Sequence, residues 1–490
     1  MKIAGLDIGT TGCKLTVFDH TGRQLARYYC GYPASRKAGA HEIDANGILE
    51  GVFSVLRAAA EEHREIAGIG VTSFGETCIL TDQAGAPLRP AMLYTDPRGA
   101  EECARLTRQL GEERLIEISG TRPHEMYSLP KIMWIKAHEP EVYARTRHIF
   151  LVEDFVVFHL TGQRVIDHSL AARTMGFDIR KLQWSREIFD AAGVELSLMS
   201  RTAAPGTAAG RLTADVGLSP DTQIVCISHD QVAAAVGAGG FSSDMAADGA
   251  GTVECITPIC DGLPDLAALA RGNYAAVPYV LPGKYVCYAF SYTGGALIQW
   301  CADTLAKKEQ EEAAELGVSV NQLLESRSRS PTGLLVLPHF AGAATPYMDT
   351  GSRGAILGLT TETTAADLYR GCMEGVVYEM LLNTERLAAA GAHFQKLSAT
   401  GGGARSREWM QMKADVLNRE LTALETADAG TVGSAMLTGV AVGCFSDLAG
   451  ARSRMVREIG GFRPRADLHA AYQEIYRRYR QVYEAVRPLV

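Results

Sequence analysis

Long apolar runs, basic runs, paired cysteines and metal-ligand spacings are all missing from this chain, and each absence removes a class of function. No stretch approaches the ~20 apolar residues that a membrane-spanning helix needs, so no membrane association is expected. The net charge of −8 comes from interspersed acidic and basic residues, with no Lys/Arg run long enough for a basic arm. No nucleic-acid partner is therefore expected. The 11 cysteines fall as singletons, odd in number and without a C-x-x-C. Reduced core thiols in a cytoplasm suit that pattern better than a disulfide framework or a zinc site. None of the 12 histidines stands in an H-E-x-x-H spacing. The P-loop pattern G-x-x-x-x-G-K-[ST] is absent as well. The first residues do not read as a secretory leader, because Asp7 interrupts the apolar segment one would need.

What is present is an α/β pattern at multidomain length. A chain of 490 residues exceeds what one core usually supports, roughly 250–300 residues. Residues 2–8, 13–19 and 24–31 read as three strands joined by tight turns, residues 46–63 as a helix and residues 66–72 as a buried strand. Strand and helix patterns alternate up to residues 224–228, after which a helix is expected to begin past His229-Asp230. Around residue 241 the pattern restarts. Asp248-Gly249-Ala250-Gly251-Thr252 sits between two strand patterns and echoes Asp7-Ile8-Gly9-Thr10-Thr11. The repeat points to two similar α/β domains, 1–241 and 242–490, facing each other across a cleft. The charged stretch 307–329 reads as a solvated helix and loop, and residues 468–486 as a helix whose Tyr/Ile/Val stripe docks on a core.

Four glycine-rich turns follow strands or open helices: Gly9-Thr10-Thr11-Gly12, Gly249-Ala250-Gly251-Thr252, Thr293-Gly294-Gly295 and Gly401-Gly402-Gly403. Turn N–H groups and helix N-termini surround phosphate oxygens well. Gly9 and Gly12 are expected at positive φ, Lys14 offers a cation, and Asp7 is placed to hold Mg²⁺ or its water. Each turn could equally be a plain turn or helix cap. Asp230, at a strand end and a helix start, could take a hydroxyl proton or simply cap its helix. Glu76, Asp96 and Arg98 could line a polyol pocket. Alternatively, Glu76 caps a helix and Asp96–Arg98 form a structural ion pair.

The order and spacing of these segments resemble the FGGY family of carbohydrate kinases nearly end to end. Asp7-Ile8-Gly9-Thr10-Thr11 is similar to the family's first phosphate turn, and Thr72-Ser73-Phe74-Gly75-Glu76 falls where its first sugar loop lies. Tyr94-Thr95-Asp96-Pro97-Arg98, Pro130-Lys131-Ile132-Met133-Trp134, Leu160-Thr161-Gly162, Leu337-Pro338-His339 and Gly402-Gly403-Ala404-Arg405 resemble further family motifs. The resemblance implies two ribonuclease H-like, actin-like ATPase domains with an active-site cleft between them. It implies ATP with Mg²⁺ as donor and a small sugar or polyol as acceptor. It further implies Asp230 as general base and Asp7 as the metal-side carboxylate. Thr10, Thr11, Lys14, Gly251, Thr252, Gly295, Gln299, Gly403 and Arg407 would contact the nucleotide, and Glu76, Asp96, Arg98 and Gln231 the acceptor. Glycerol kinases carry Arg-Glu-Thr where this chain has Gly75-Glu76-Thr77, and xylulose kinases carry Met-His-Gly near the same place. Gly371-Cys372 departs from the Ala/Ser-led segment common in the family, on a helix where it bears on packing. A xylulose-like ketose is the expected acceptor, with glycerol or gluconate as alternatives, and a homodimer is compatible. A non-catalytic, ATP-gated actin- or chaperone-like protein is the rival from another class.

Overall fold

The computed structural model describes residues 1–37, 39–328 and 330–490. Two sheets carry the fold, and they share one strand order. In the first, Gln24–Gly31, Gly12–Asp19, Lys2–Ile8, Gly68–Ser73, Gln223–His229 and Thr207–Arg211 lie side by side. Lys2–Ile8, Gly68–Ser73 and Gln223–His229 run parallel, and the other three are antiparallel to their neighbours. In the second, Lys284–Cys287, Glu254–Asp261, Met245–Ala250, Lys396–Thr400, Glu420–Leu424 and Glu458–Phe462 repeat that order and that polarity. The repeat foreseen at Asp7 and Asp248 is thus a repeat of whole sheets, and the chain has the ribonuclease H-like, actin-like two-domain architecture. The sixth strand differs in chain order. Thr207–Arg211 comes before its neighbour, whereas Glu458–Phe462 comes after its own.

Local sequence explains the layering. Gly68–Ser73 is central and buried along its whole length, as a parallel strand covered on both faces must be. The edge strand Gln24–Gly31 alternates exposed and half-buried residues. The helix Ala45–His63 is capped by Asp44, whose side chain accepts from Asn46 N, and buries Ile48, Val52, Val55, Leu56 and Ala59. Stretch 307–329 forms two helices, Lys307–Leu316 and Val320–Arg327; Arg329 at its end lies outside the described residues. The C-terminal stripe is not one helix. Ala466–Tyr479 and Val482–Val486 are separated at Arg480-Gln481. Tyr472, Ile475, Tyr476 and Tyr479 are buried in the core of the second half as expected.

The two halves are joined through glycine. Helix Ala429–Ala441, late in the chain, lies on the first sheet and crosses helix Asp230–Gly237. A Cβ at Gly433 would stand 1.9 Å from Ala233 O, and one at Gly5 would stand 2.0 Å from Thr431 O. Ser434 Oγ donates to Gly70 O at 2.8 Å. A helix contributed by residues beyond 241 therefore belongs physically to the core under the first sheet.

Candidate active site

Strand Gln223–His229 delivers Asp230, and it does so through a bulge. Its pairing with Gly68–Ser73 shifts register between Cys226 and Ser228, and such bulges re-aim the side chains beyond them. The Ile227 N–H freed by the bulge donates to Glu153 Oε1 at 2.8 Å. The His229 N–H donates to Ser169 Oγ at 2.8 Å, and Ser169 Oγ donates to Asp167 Oδ1 at 2.5 Å. Both carboxylates and Ser169 are fully buried. The helix cap is His229, and Asp230 is the first helical residue. Its Oδ1 accepts from Gln231 N–H at 2.6 Å and lies 3.2 Å from His229 Nε2. The plain N-cap alternative for Asp230 is thereby set aside. Burial, then the negative charges of Asp7 and Glu76, push the Asp230 carboxyl up to about 8.

Asp7, one residue before the end of the first strand, lies opposite Lys14 in the hairpin register. Burial raises its carboxyl to about 6, against the pull of Lys14. Lys14 Nζ and Arg27 Nε both reach Asp428, at 3.2 and 2.9 Å, just before helix Ala429–Ala441. The expectation of positive φ at Gly9 and Gly12 is corrected: neither adopts it. Gly12 is required by space, since a Cβ there would come within 2.6 Å of Tyr29 OH and 2.7 Å of Cys30 O. The turn is closed by Gly9 N–H donating to Gly12 O at 2.9 Å.

A cavity of about 1070 Å³ opens beside Lys14 and is walled by Gly251, Thr252, Gly295, Gln299, Gly403 and Arg407. Seven of the nine expected nucleotide contacts meet there; Thr10 and Thr11 are not in its wall. The start of helix Gly295–Leu305 departs from expectation. Its N–H groups do not stand free, because Gly294, Gly295 and Ala296 donate to the carbonyls of Thr252, Gly251 and Thr252 at 3.0, 2.8 and 3.1 Å. The turn and the helix end thus satisfy each other. Gln299 Nε2 donates to Asp303 Oδ1 at 2.9 Å, and Arg407 lies over the Phe462 ring at 5.6 Å. Asp248, the counterpart of Asp7, is sealed away. It and Glu254 are fully buried against Lys413, with Asp248 2.7 Å from Lys413 Nζ.

On the acceptor side, Glu76 caps no helix. It sits in a loop at φ 64°, is 4% exposed, and pairs with Arg173, whose Nε donates to Glu76 Oε1 at 2.5 Å. Asp96 and Arg98 take the ion-pair arrangement. Asp96 accepts from Arg98 N, Nε and Nη2 at 3.0, 2.8 and 2.6 Å and from His41 N at 2.8 Å. Burial acts to raise the Asp96 carboxyl, but these bonds outweigh it and the net shift is downward. The Gln231 side chain makes no hydrogen bond to any described residue.

Among the described residues no group of three or more His, Cys, Asp or Glu side chains stands ready to cage a metal. A Mg²⁺ carried on phosphates needs only one or two carboxylates and waters. Asp7 fits that role: its hard oxygen donors accept no hydrogen bond from any described residue. Arg173, Asp428 and Tyr288 escaped the sequence reading. Asp428-Ala429-Gly430-Thr431 repeats the Asp-x-Gly-Thr of residues 7–10, a signal that could have found Asp428. Arg173 and Tyr288 carry no such signal, and folding places them within electrostatic reach of Asp230 and Asp428 within reach of Asp7.

Residues 2–237 match the family model for the FGGY family of carbohydrate kinases, N-terminal domain, and residues 262–442 match the corresponding C-terminal domain. The chain is 27% identical over 499 residues to a xylulose kinase of Bacillus subtilis, covering 99% of this chain and 97% of that protein. It is 29% identical over 471 residues to a glycerol kinase of Thermococcus onnurineus, covering 91% and 90%. A ligand-bound xylulose kinase from Lactobacillus acidophilus superimposes with a TM-score of 0.89 at 22% identity, covering 99% of this chain and 98% of that one. That likeness speaks to the fold.

Proposed function

The chain belongs to the FGGY family of carbohydrate kinases, and from that premise we propose that it transfers the γ-phosphate of ATP to a hydroxyl of a xylulose-like ketose, with Asp230 as general base. The observation that carries this reading is the placement of Asp230 just past the bulged end of strand Gln223–His229, beside Asp7 and Glu76. Burial and those charges raise its carboxyl towards the operating pH, where a base works best. The acceptor hydroxyl gives its proton to Asp230 as its oxygen attacks the γ-phosphorus. The bond to the β–γ bridging oxygen breaks, and ADP leaves with that oxygen. Lys14, Gly251, Thr252, Gly295, Gln299, Gly403 and Arg407 hold the nucleotide in the large cavity, with Thr10 and Thr11 at its phosphate end. Asp7 would hold the Mg²⁺ that accompanies the phosphates, and that ion supplies neutralisation of their charge.

Glu76 and Gln231 orient the acceptor, while Asp96 and Arg98 hold each other in an ion pair. The negative charges of Asp7 and Glu76 that act on Asp230 outnumber the guanidinium of Arg173 beside them, which favours an uncharged acceptor over a sugar acid such as gluconate. Eleven free thiols, nine of them buried, suit a cytoplasmic setting. No described helix is long and apolar enough to cross a membrane.

A coupled assay of ADP release with Mg²⁺ and ATP tests the proposal. D-xylulose, glycerol and gluconate are supplied one at a time. Release stimulated by the ketose is the expected result; ATP hydrolysis indifferent to every sugar refutes it.

A further inference from the structure

Several polar atoms around Asp230 are left without partners, and they come from residues far apart in the chain. Arg173 follows the short helix His168–Ala172 and is only 6% exposed. Its guanidinium lies between the rings of Tyr127 and Tyr288, 5.1 and 5.7 Å from their centroids. It reaches Glu76 across Gly75. A Cβ at position 75 would stand 3.0 Å from Arg173 Cγ and 3.1 Å from His229 Cδ2, so the missing side chain there is the gap through which Arg173 enters.

The ion pair occupies one oxygen of Glu76 and two nitrogens of Arg173. Glu76 Oε2 and Arg173 Nη1 have no partner among the described residues. Tyr288 is 6% exposed and its hydroxyl also lacks a partner, as does His229 Nδ1. A buried hydroxyl without a partner is costly, and buried polar atoms in folded proteins are almost always satisfied. Tyr288 belongs to the second half of the chain, lies 5.6 Å from the His229 ring, and is within electrostatic reach of Asp230. These groups therefore surround one place, from both sides of the cleft.

We propose that Arg173 and Tyr288 are specificity-determining residues of the acceptor site, with Arg173 Nη1 and the Tyr288 hydroxyl hydrogen-bonding neighbouring oxygens of an uncharged polyhydroxylated acceptor. This rests on the reading of Asp230 as the base of a sugar kinase. Glu76 cancels the charge of Arg173, so the guanidinium acts as a directional donor to hydroxyl or carbonyl oxygen. Tyr288 adds a contact that exists only when the two halves are together, which ties recognition of the acceptor to the closed cleft.

Two variants test it, with D-xylulose as the probe, or glycerol where the wild type prefers it. Tyr288→Phe deletes only the partnerless hydroxyl. Its melting temperature is expected to be unchanged or higher, the KM for the sugar to rise about tenfold, as for loss of one buried hydrogen bond, and the KM for ATP to stay within about twofold. Arg173→Lys keeps the charge opposite Glu76 but loses the planar Nη1 edge. It is expected to raise the sugar KM by at least about tenfold, again without moving the KM for ATP. A wild-type protein that phosphorylates no sugar sinks the kinase reading itself. Wild-type turnover combined with an unchanged sugar KM in Tyr288→Phe overturns this inference alone, whether or not Arg173→Lys folds.

Discussion

Replacing Asp230 by Asn is expected to make the protein more stable and nearly inactive, and both effects can be sized. The carboxyl is pushed from 3.8 to about 8 by burial and by Asp7 and Glu76. A raised acid pKa means that the folded state holds its proton more tightly than the unfolded chain does. Ionised Asp230 therefore destabilises the fold. The penalty is absent below about pH 4, grows by at most ~1.4 kcal/mol per pH unit, and levels off above about pH 8. The full shift corresponds to about 6 kcal/mol. The side chain is 30% exposed, so solvent screening cuts this to roughly 2–3 kcal/mol. Asn carries no charge and escapes the penalty. Urea unfolding of both proteins near about pH 4 and about pH 9 should show equal stability at the lower value and a more stable variant at the higher. Turnover with the sugar should fall by roughly 10²–10⁴, the usual worth of a general base, while the KM for ATP holds. In the wild type, kcat/KM for the sugar should rise with pH towards about 8. A stability difference independent of pH, or wild-type turnover in the variant, would refute the assignment.

Other perturbations separate structural from functional charges. Lys413→Met leaves Asp248 and Glu254 buried without their cation and is expected to cost about 3–5 kcal/mol in urea unfolding; a neutral result would mean that the triad is not ionised. Gly433→Ala drives a methyl group into Ala233 O. It should cost about 3 kcal/mol, at the upper end of overpacking, and lower kcat because Ala233 lies on the helix that begins with Asp230. Unchanged turnover and stability would show that the crossing is looser than described. Asp96→Asn is expected to lose about 2–3 kcal/mol of stability with the sugar KM unmoved. A raised KM at full stability would make Asp96 a direct acceptor contact.

Local sequence was enough for the first three strands, because the turns at Gly9–Gly12 and His20–Arg23 interrupt apolar runs of strand length. It was also enough for helix Ala45–His63, where Asp44 marks the start and an apolar stripe sets the period. Short-range chemistry of that kind also exposed the glycine-rich turns and placed Asp7 and Asp230 near strand ends. What the glycines do was decided elsewhere. Gly12 serves contact with a neighbouring strand rather than positive φ, and the helix opening at Gly295 is satisfied by a turn more than forty residues earlier. The duplication was hinted at by a few residues, yet its proof is a strand order that pairs Lys2–Ile8 with residues near 70 and Met245–Ala250 with residues near 398.

The chain by itself thus determined where the first three strands and helix Ala45–His63 fall and that Asp7 and Asp230 stand near strand ends, since those depend on neighbours a few positions away. Only the tertiary structure decided which charges meet: that Lys14 answers Asp428, that Arg173 crosses Gly75 to reach Glu76, and that Asp230 shares its surroundings with Asp7. Ionisation and hydrogen bonding depend on distance and on exclusion of water, and neither is set until residues hundreds of positions apart are packed together.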